Sequence, residues 1–190
     1  IYFIQWPDEE VEFGESMEAM MKLYDSGTIK AIGVSNFNVE QIKSCQKYGY
    51  IHLIQNEYQL FNRELEEDLL PFCIEENIAV MAYGSICKAL LSGKFDKDSE
   101  FKKDDTRSRD PQFQGEQFQE NLAKVEKLKD IADKKQISLV QLAIAWLIQQ
   151  PGVSSAIVGA RTKEQAIENA QAGKIKLSED ELELISDICS

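Results

Sequence analysis

The strongest constraint on this chain is an alternation. Short apolar runs take turns with stretches of helical period, and each run closes on polar or aromatic residues. The run ends read Ile4-Gln5-Trp6-Pro7-Asp8, Gly33-Val34-Ser35-Asn36-Phe37, Ile54-Gln55-Asn56-Glu57-Tyr58 and Ala82-Tyr83-Gly84-Ser85. Short apolar strands separated by helices imply parallel pairing with both faces covered. Polar groups gathered at the carboxyl ends of successive parallel strands are how an α/β barrel assembles one active site.

The elements follow from local signals. Residues 1–4 predict a strand. Residues 13–26 carry Met17, Met20, Met21 and Tyr24 at helical spacing, and Gly27 ends that helix. Residues 31–34 predict the second strand. Asn38 with Gln41 reads as a reciprocal cap on a helix reaching about Lys47. Residues 51–54 predict a strand, 64–76 a helix that Pro71 kinks or restarts, and 78–82 another strand. Residues 84–115 break the rhythm, being long, charged and turn-rich; a loop of this length is usually functional or disordered. A helix is expected over 116–135, and Ser138 with Gln141 caps the next, to about Gln149. After Pro151-Gly152, residues 155–158 predict the last strand. Thr162 with Gln165 and Ser178 with Glu181 cap the final two helices.

Two architectures fit five such strands: an eight-stranded barrel and an open doubly wound sheet. The open dinucleotide-binding fold normally shows GxGxxG in its first turn, and this sequence has none. That favours the (β/α)8 TIM-barrel type. Only five strands are visible, so the expectation is a chain carrying the last five, the fourth to the eighth, of one barrel in a single domain over residues 1–190. The sequence starts at Ile1, inside an apolar run and without Met, which fits that expectation.

Composition narrows the partners. A net charge of −12 without any basic cluster argues against nucleic acid. No apolar run approaches the ~18 residues of a membrane span. The four cysteines, Cys45, Cys73, Cys87 and Cys189, form no CxxC pair, and His52 is the only histidine, so no metal is expected. Cys45 and Cys73 fall on apparent helices and read as small core residues. A reducing, cytoplasmic compartment is the simplest setting for unpaired thiols.

Four motifs resemble one known family. Asp-Ser-Gly-Thr-Ile-Lys-Ala-Ile-Gly-Val-Ser-Asn-Phe (25–37) is similar to a hallmark of the aldo-keto reductases. So are Ile-Gln-Asn-Glu-Tyr (54–58), Ala-Tyr-Gly-Ser with Leu-Leu-Ser-Gly-Lys (82–85 and 90–94), and Ile-Val-Gly-Ala-Arg-Thr-Lys-Glu-Gln-Ala-Ile-Glu-Asn (157–169). The order and spacing match from the first strand to the last helix. The segment with Phe101, Asp104-Asp105, Arg107 and Asp110-Pro111-Gln112-Phe113 is most like the bacterial general-stress-type members.

The resemblance implies a (β/α)8 barrel that binds NADP(H) and reduces aldehydes and ketones. It implies that Ser35, Asn36 and Gln55 hold the nicotinamide carboxamide, a group that needs both donors and acceptors. Tyr83 would stack on the nicotinamide ring. Leu91, Gly93 and Lys94 would wrap the pyrophosphate, making 84–115 a cofactor-covering loop. Arg161 and Gln165 would reach a 2′-phosphate, and Glu168 and Asn169 the adenine. At Gly159 many NADP-specific members carry Lys, which keeps NAD(H) open as a second candidate.

The family's catalytic set is Asp, Tyr, Lys and His. The first three belong to βα units that no motif in this sequence matches. The His position falls on Gln5, which donates a hydrogen bond but does not titrate. His52 stands at a strand start, away from the chemistry, and reads as structural. The expectation is therefore an NADP(H)-dependent carbonyl reductase in complete form, with residues 1–190 alone inactive or weak. If these residues are the whole molecule, its open strand edges invite self-association. The alternative is a catalytically silent NADP(H)-binding sensor or interaction subunit.

Overall fold

The computed structural model describes residues 1–8 and 10–189. They form two compact units. The first comprises Ile1–Tyr58, Arg63–Tyr83 and Gln150–Ile157; the second comprises Gln59–Asn62, Gly84–Gln149 and Val158 onward.

The first unit is built on one all-parallel sheet of five strands in sequence order: β1 (Tyr2–Ile4), β2 (Ile32–Ser35), β3 (Leu53–Glu57), β4 (Ala79–Tyr83) and β5 (Val153–Ala156). Parallel neighbours need helical crossovers, and three helices of this unit serve between the first four strands. These are α1 (Phe13–Asp25), α2 (Val39–Gln46) and α3 (Leu69–Glu75). α1 buries Met17 and Met20, α2 buries Ile42 and Cys45, and α3 buries Leu69, Leu70 and Cys73. Every residue of β2 is buried, as a central parallel strand requires. Gly33 sits across from Phe3 in the β1–β2 register, and a Cβ there would lie 2.4 Å from the Phe3 ring. The phenyl group occupies the space that a side chain at 33 would need.

Capping sets the helix starts. Asn38 accepts from the Gln41 amide while the Gln41 side chain accepts from the Asn38 amide, each at 2.9 Å. The expected helix over 64–76 is two pieces, a 3-10 turn at Glu64–Glu66 and then α3. Pro71 is the third residue of α3, in the first turn, where a missing N–H breaks no helical bond. Pro71 thus stands at a restart rather than a kink.

Two strands lie two or three residues away from their expected bounds. β3 runs on through Gln55, Asn56 and Glu57, because these polar residues pair in register with Met81, Ala82 and Tyr83 of β4. β5 runs from Val153 to Ala156, and its register with β4 shifts near its start, between Val80 and Met81.

The second unit holds α4 (Gly115–Lys135), α5 (Leu139–Ile148), α6 (Lys163–Gln171) and α7 (Glu179–Cys189). α5 is apolar almost all round and buries Leu142, Ala143, Ile144, Ala145, Trp146 and Leu147. Ser138 and Gln141 form its capping box. Thr162 caps α6, but the reciprocal arm goes elsewhere: Gln165 accepts from the Arg161 amide at 2.8 Å. Lys135 binds both carboxylate oxygens of Glu181, joining α4 to α7. Among the described residues no helix is long and apolar enough to cross a membrane.

Candidate functional site

In the first unit the carboxyl ends of β2, β3 and β4 converge on one hydrogen-bonded cluster. The β2–β3 register sets Ser35 beside Gln55. Ser35 is buried, and its hydroxyl donates to the Gln55 carbonyl at 2.8 Å. The chain then turns sharply at Asn36, whose φ of 63° lies in the left-handed region. Asn is one of the few side chains that tolerates that region.

The Asn36 side chain is the hub. Its Oδ1 accepts from the Tyr83 hydroxyl at 2.7 Å. Its Nδ2 donates to the Gln5 carbonyl and to the Ser35 hydroxyl, each at 3.1 Å. Both amide hydrogens are therefore committed, while Oδ1 keeps accepting capacity. The half-buried Gln55 side chain has no hydrogen-bond partner among the described residues. It offers one acceptor and two donors to anything bound there. A hydroxyl, two amides and a phenol form a donor and acceptor set suited to a planar carboxamide beside an aromatic ring. Gln5 is exposed and takes part through its backbone carbonyl, not its side chain.

Asn56 is a part of this cluster that the sequence leaves unassigned. It is 8% exposed, its Oδ1 accepts from the Asn36 amide at 3.1 Å, and its Nδ2 donates to the Phe37 carbonyl at 3.1 Å. A polar amide inside a buried strand is the signal that points to it, since such groups are retained when hydrogen-bonded.

His52 lies at the opposite, amino end of β3. Its Nδ1 accepts from the Ile32 amide at 3.2 Å and its ring packs 5.0 Å from Tyr24, which gives it a structural place. Cys45 and Cys73 are fully buried, and burial pushes their thiols up to about 11 and about 12. Elsewhere in this unit Tyr58 is buried and donates to Glu66, which Arg63 grips with two bonds of 2.7 and 2.8 Å. Burial pulls the Glu66 carboxyl up, but the bonds from Arg63 and Tyr58 outweigh it and hold the group below its ordinary value.

In the second unit residues 84–115 are folded, with 3-10 turns at Cys87–Ser92, Thr106–Arg109 and Pro111–Phe113. Phe95, Phe101 and Phe113 meet edge to face with centroids 5.2 to 5.9 Å apart, and Phe118 of α4 stacks on Phe113. Arg107 lies over Phe95 and Phe101 at 5.1 and 4.9 Å. Hydrogen bonds from Arg107 hold Asp105 at about 2. The four phenylalanines scattered through a charged stretch are the sequence signal for this hub, and only their spatial meeting gives it meaning.

The first of these turns is strained. Cys87, Lys88 and Ala89 have φ of 46°, 47° and 73°, three left-handed residues in a row without a glycine. Leu91 is fully buried and its amide bonds to the Ile86 carbonyl, so its side chain belongs to the core. Gly93 has φ of 70°, and a Cβ there would lie 2.5 Å from Lys129 Cε. Lys94 is exposed, with its ammonium 4.9 Å from the Phe95 ring. At the start of α6, Arg161 is exposed, Asn169 donates to the Gly159 carbonyl at 3.2 Å, and the Glu168 carbonyl accepts from Gln141. The Gln165 acceptor is taken by the Arg161 amide, which leaves its Nε2 as the group to offer.

The profile described as "Aldo/keto reductase family" matches residues 1–189. The aldo-keto reductase YhdN of Bacillus subtilis (strain 168) is 42% identical over 166 residues, which is 87% of this chain and 50% of that protein. The glycerol dehydrogenase AKR11B4 from Gluconobacter oxydans superposes with a TM-score of 0.93 at 36% identity, over 98% of this chain and 57% of that one. The aldo/keto reductase from Klebsiella pneumoniae in complex with NADP and acetate gives 0.76 at 30% identity, over 98% and 57%. The chain thus spans about half the length of the curated relatives it matches.

Proposed function

Because this chain belongs to the aldo/keto reductase family, we propose that it carries the cofactor-holding part of an NADP(H)-dependent reduction of aldehydes and ketones to alcohols. One observation carries the reading: Ser35, Asn36, Gln55 and Tyr83 meet at the carboxyl ends of neighbouring parallel strands in a single hydrogen-bonded cluster. The NADP in a structural relative supports the cofactor class.

In this reading Asn36 Oδ1 and the Gln55 amide receive the carboxamide, and Tyr83 presents its ring to the nicotinamide. When bound, the dinucleotide supplies hydride to a carbonyl carbon. Ser35 keeps Asn36 in place and adds no charge. Lys94 and Gly93 meet the pyrophosphate, with Leu91 fixing the turn from the core. Arg161 offers a guanidinium to a 2′-phosphate, Gln165 a donor, and Glu168 and Asn169 the adenine contacts. Residues 84–115 then act as the loop that covers the cofactor. The sheet is read as strands four to eight of a (β/α)8 barrel.

The same reading assigns no general acid to the cluster, since the Tyr83 hydroxyl is committed to Asn36 Oδ1 and the Ser35 hydroxyl to the Gln55 carbonyl. Gln5 occupies the family's His position, and its exposed amide does not titrate. The expected behaviour is cofactor binding with little turnover of a small carbonyl substrate. The test mixes the chain with NADPH and a nitrobenzaldehyde, following both cofactor fluorescence and loss of NADPH absorbance. Binding with slow or no turnover supports the reading. Rapid turnover contradicts the claim that the cluster supplies no general acid, and no binding contradicts the function.

A further inference from the structure

The left-handed turn at Asn36 needs something to hold it. A non-glycine residue in that region costs on the order of 1 kcal/mol or more unless its surroundings fix it. The fixing group is not on the turn but across the sheet. Asn56 of β3 offers its side-chain amide to the turn as a strand edge would. Its Oδ1 accepts from the Asn36 amide and its Nδ2 donates to the Phe37 carbonyl. The Asn36 amide is shared with the Gln55 carbonyl at 3.1 Å, so the two carbonyl-type acceptors bracket one N–H. Asn56 sits in the β3–β4 register opposite Ala82, the residue before Tyr83. The turn and the strand end bearing Tyr83 are therefore referenced to one buried residue.

We propose that Asn56 is a positioning residue for nicotinamide binding: by clamping the backbone at Asn36 and Phe37 it fixes the direction of the Asn36 side chain and, through it, of the Tyr83 hydroxyl. The inference rests on the cofactor reading above. A clamp of this kind does not touch the cofactor. It leaves the carboxamide a preformed acceptor instead of one that must be ordered on binding. The Gln55 carbonyl shares the Asn36 amide at 3.1 Å and Tyr83 bonds Asn36 Oδ1 at 2.7 Å, while Asn56 grips both the Asn36 amide and the Phe37 carbonyl and so spans the turn.

The test compares two ligands on the full chain by calorimetric titration: NADPH, and 2′-phospho-ADP-ribose, which lacks the nicotinamide ring. Asn56→Leu removes both arms at similar volume. Asn56→Ser is a smaller variant that keeps a hydroxyl too short to bridge both groups. The expected result is NADPH affinity lowered about tenfold in each, with 2′-phospho-ADP-ribose affinity unchanged. Equal losses for both ligands would make Asn56 a general structural residue and overturn the proposal. Unchanged NADPH affinity in a folded variant would overturn it as well.

A wild-type chain that binds neither ligand overturns the cofactor reading itself. The positioning claim is then decided by hydrogen exchange. Asn56→Leu is expected to speed exchange of the Asn36 amide about tenfold while leaving Val34 unaffected. Equal exchange at Asn36 in both proteins would overturn it.

Discussion

The run of left-handed residues in the first turn after β4 gives a prediction whose sign runs against the usual effect of glycine. Ala89 has φ 73° and ψ 12° inside the segment Cys87–Ser92. An L-residue there suffers a steric cost of about 1–2 kcal/mol that glycine does not. Glycine loses about 0.4–1 kcal/mol through the greater freedom of the unfolded chain. The half-buried Ala89 methyl offsets a further few tenths. The difference leaves Ala89→Gly stabilising by about 0.5 kcal/mol, or about 1–2 °C in Tm for a chain of this size. Gly93, four residues on, makes the converse control. Its φ is 70°, and Gly93→Ala must both adopt that backbone and push Lys129 aside, so it loses about 1–2 kcal/mol. Differential scanning calorimetry and urea midpoints measure both. A lower Tm for Ala89→Gly, or a neutral Gly93→Ala, would refute the conformational account of this turn.

Three further outcomes follow from the packing and electrostatics. Phe113→Ala opens a hole at the centre of the aromatic hub; the loss is about 3–5 kcal/mol, read as a lower urea midpoint together with faster protease cleavage inside 84–115. Glu66 is held below its ordinary 4.5 in the folded chain, so its contribution is present above that pH and is lost as pH falls through the folded value. Glu66→Gln should accordingly flatten the fall in urea midpoint below pH 4.5, and an unchanged acid limb would sink that assignment. Cys45 and Cys73, raised by burial, should resist a thiol reagent at neutral pH and react on unfolding; rapid labelling of either in the native protein would contradict their burial.

What could be read from the residues depended on how local the deciding interaction is. Asn38 with Gln41 and Ser138 with Gln141 mark helix starts because each box closes within four residues, and both form as expected. Strand ends are decided by a neighbour. Gln55, Asn56 and Glu57 look like the loop after a strand until β4 pairs with them, and β5 starts early, at Val153, because Val80 of β4 pairs with that residue. The candidate residues Ser35, Asn36, Gln55 and Tyr83 were legible as polar groups at strand ends. The bond between Asn36 and Tyr83 spans 47 positions, and the double clamp of Asn56 on the turn is likewise non-local. No pattern along the chain predicts either. The loop over 84–115 was legible as an interruption, while its hub of phenylalanines around Arg107 depended on residues up to 23 apart meeting.

The central claim is that the strand-end cluster receives a nicotinamide cofactor. Titrating NADPH into isotope-labelled protein and following backbone and side-chain amide resonances tests it most directly. The account predicts saturable shifts at Ser35, Asn36, Gln55 and Tyr83, including the side-chain amides of Asn36 and Gln55, together with shifts at Arg161 and Gln165. Saturable shifts confined to other positions, or none as NADPH rises to millimolar concentration, would contradict it.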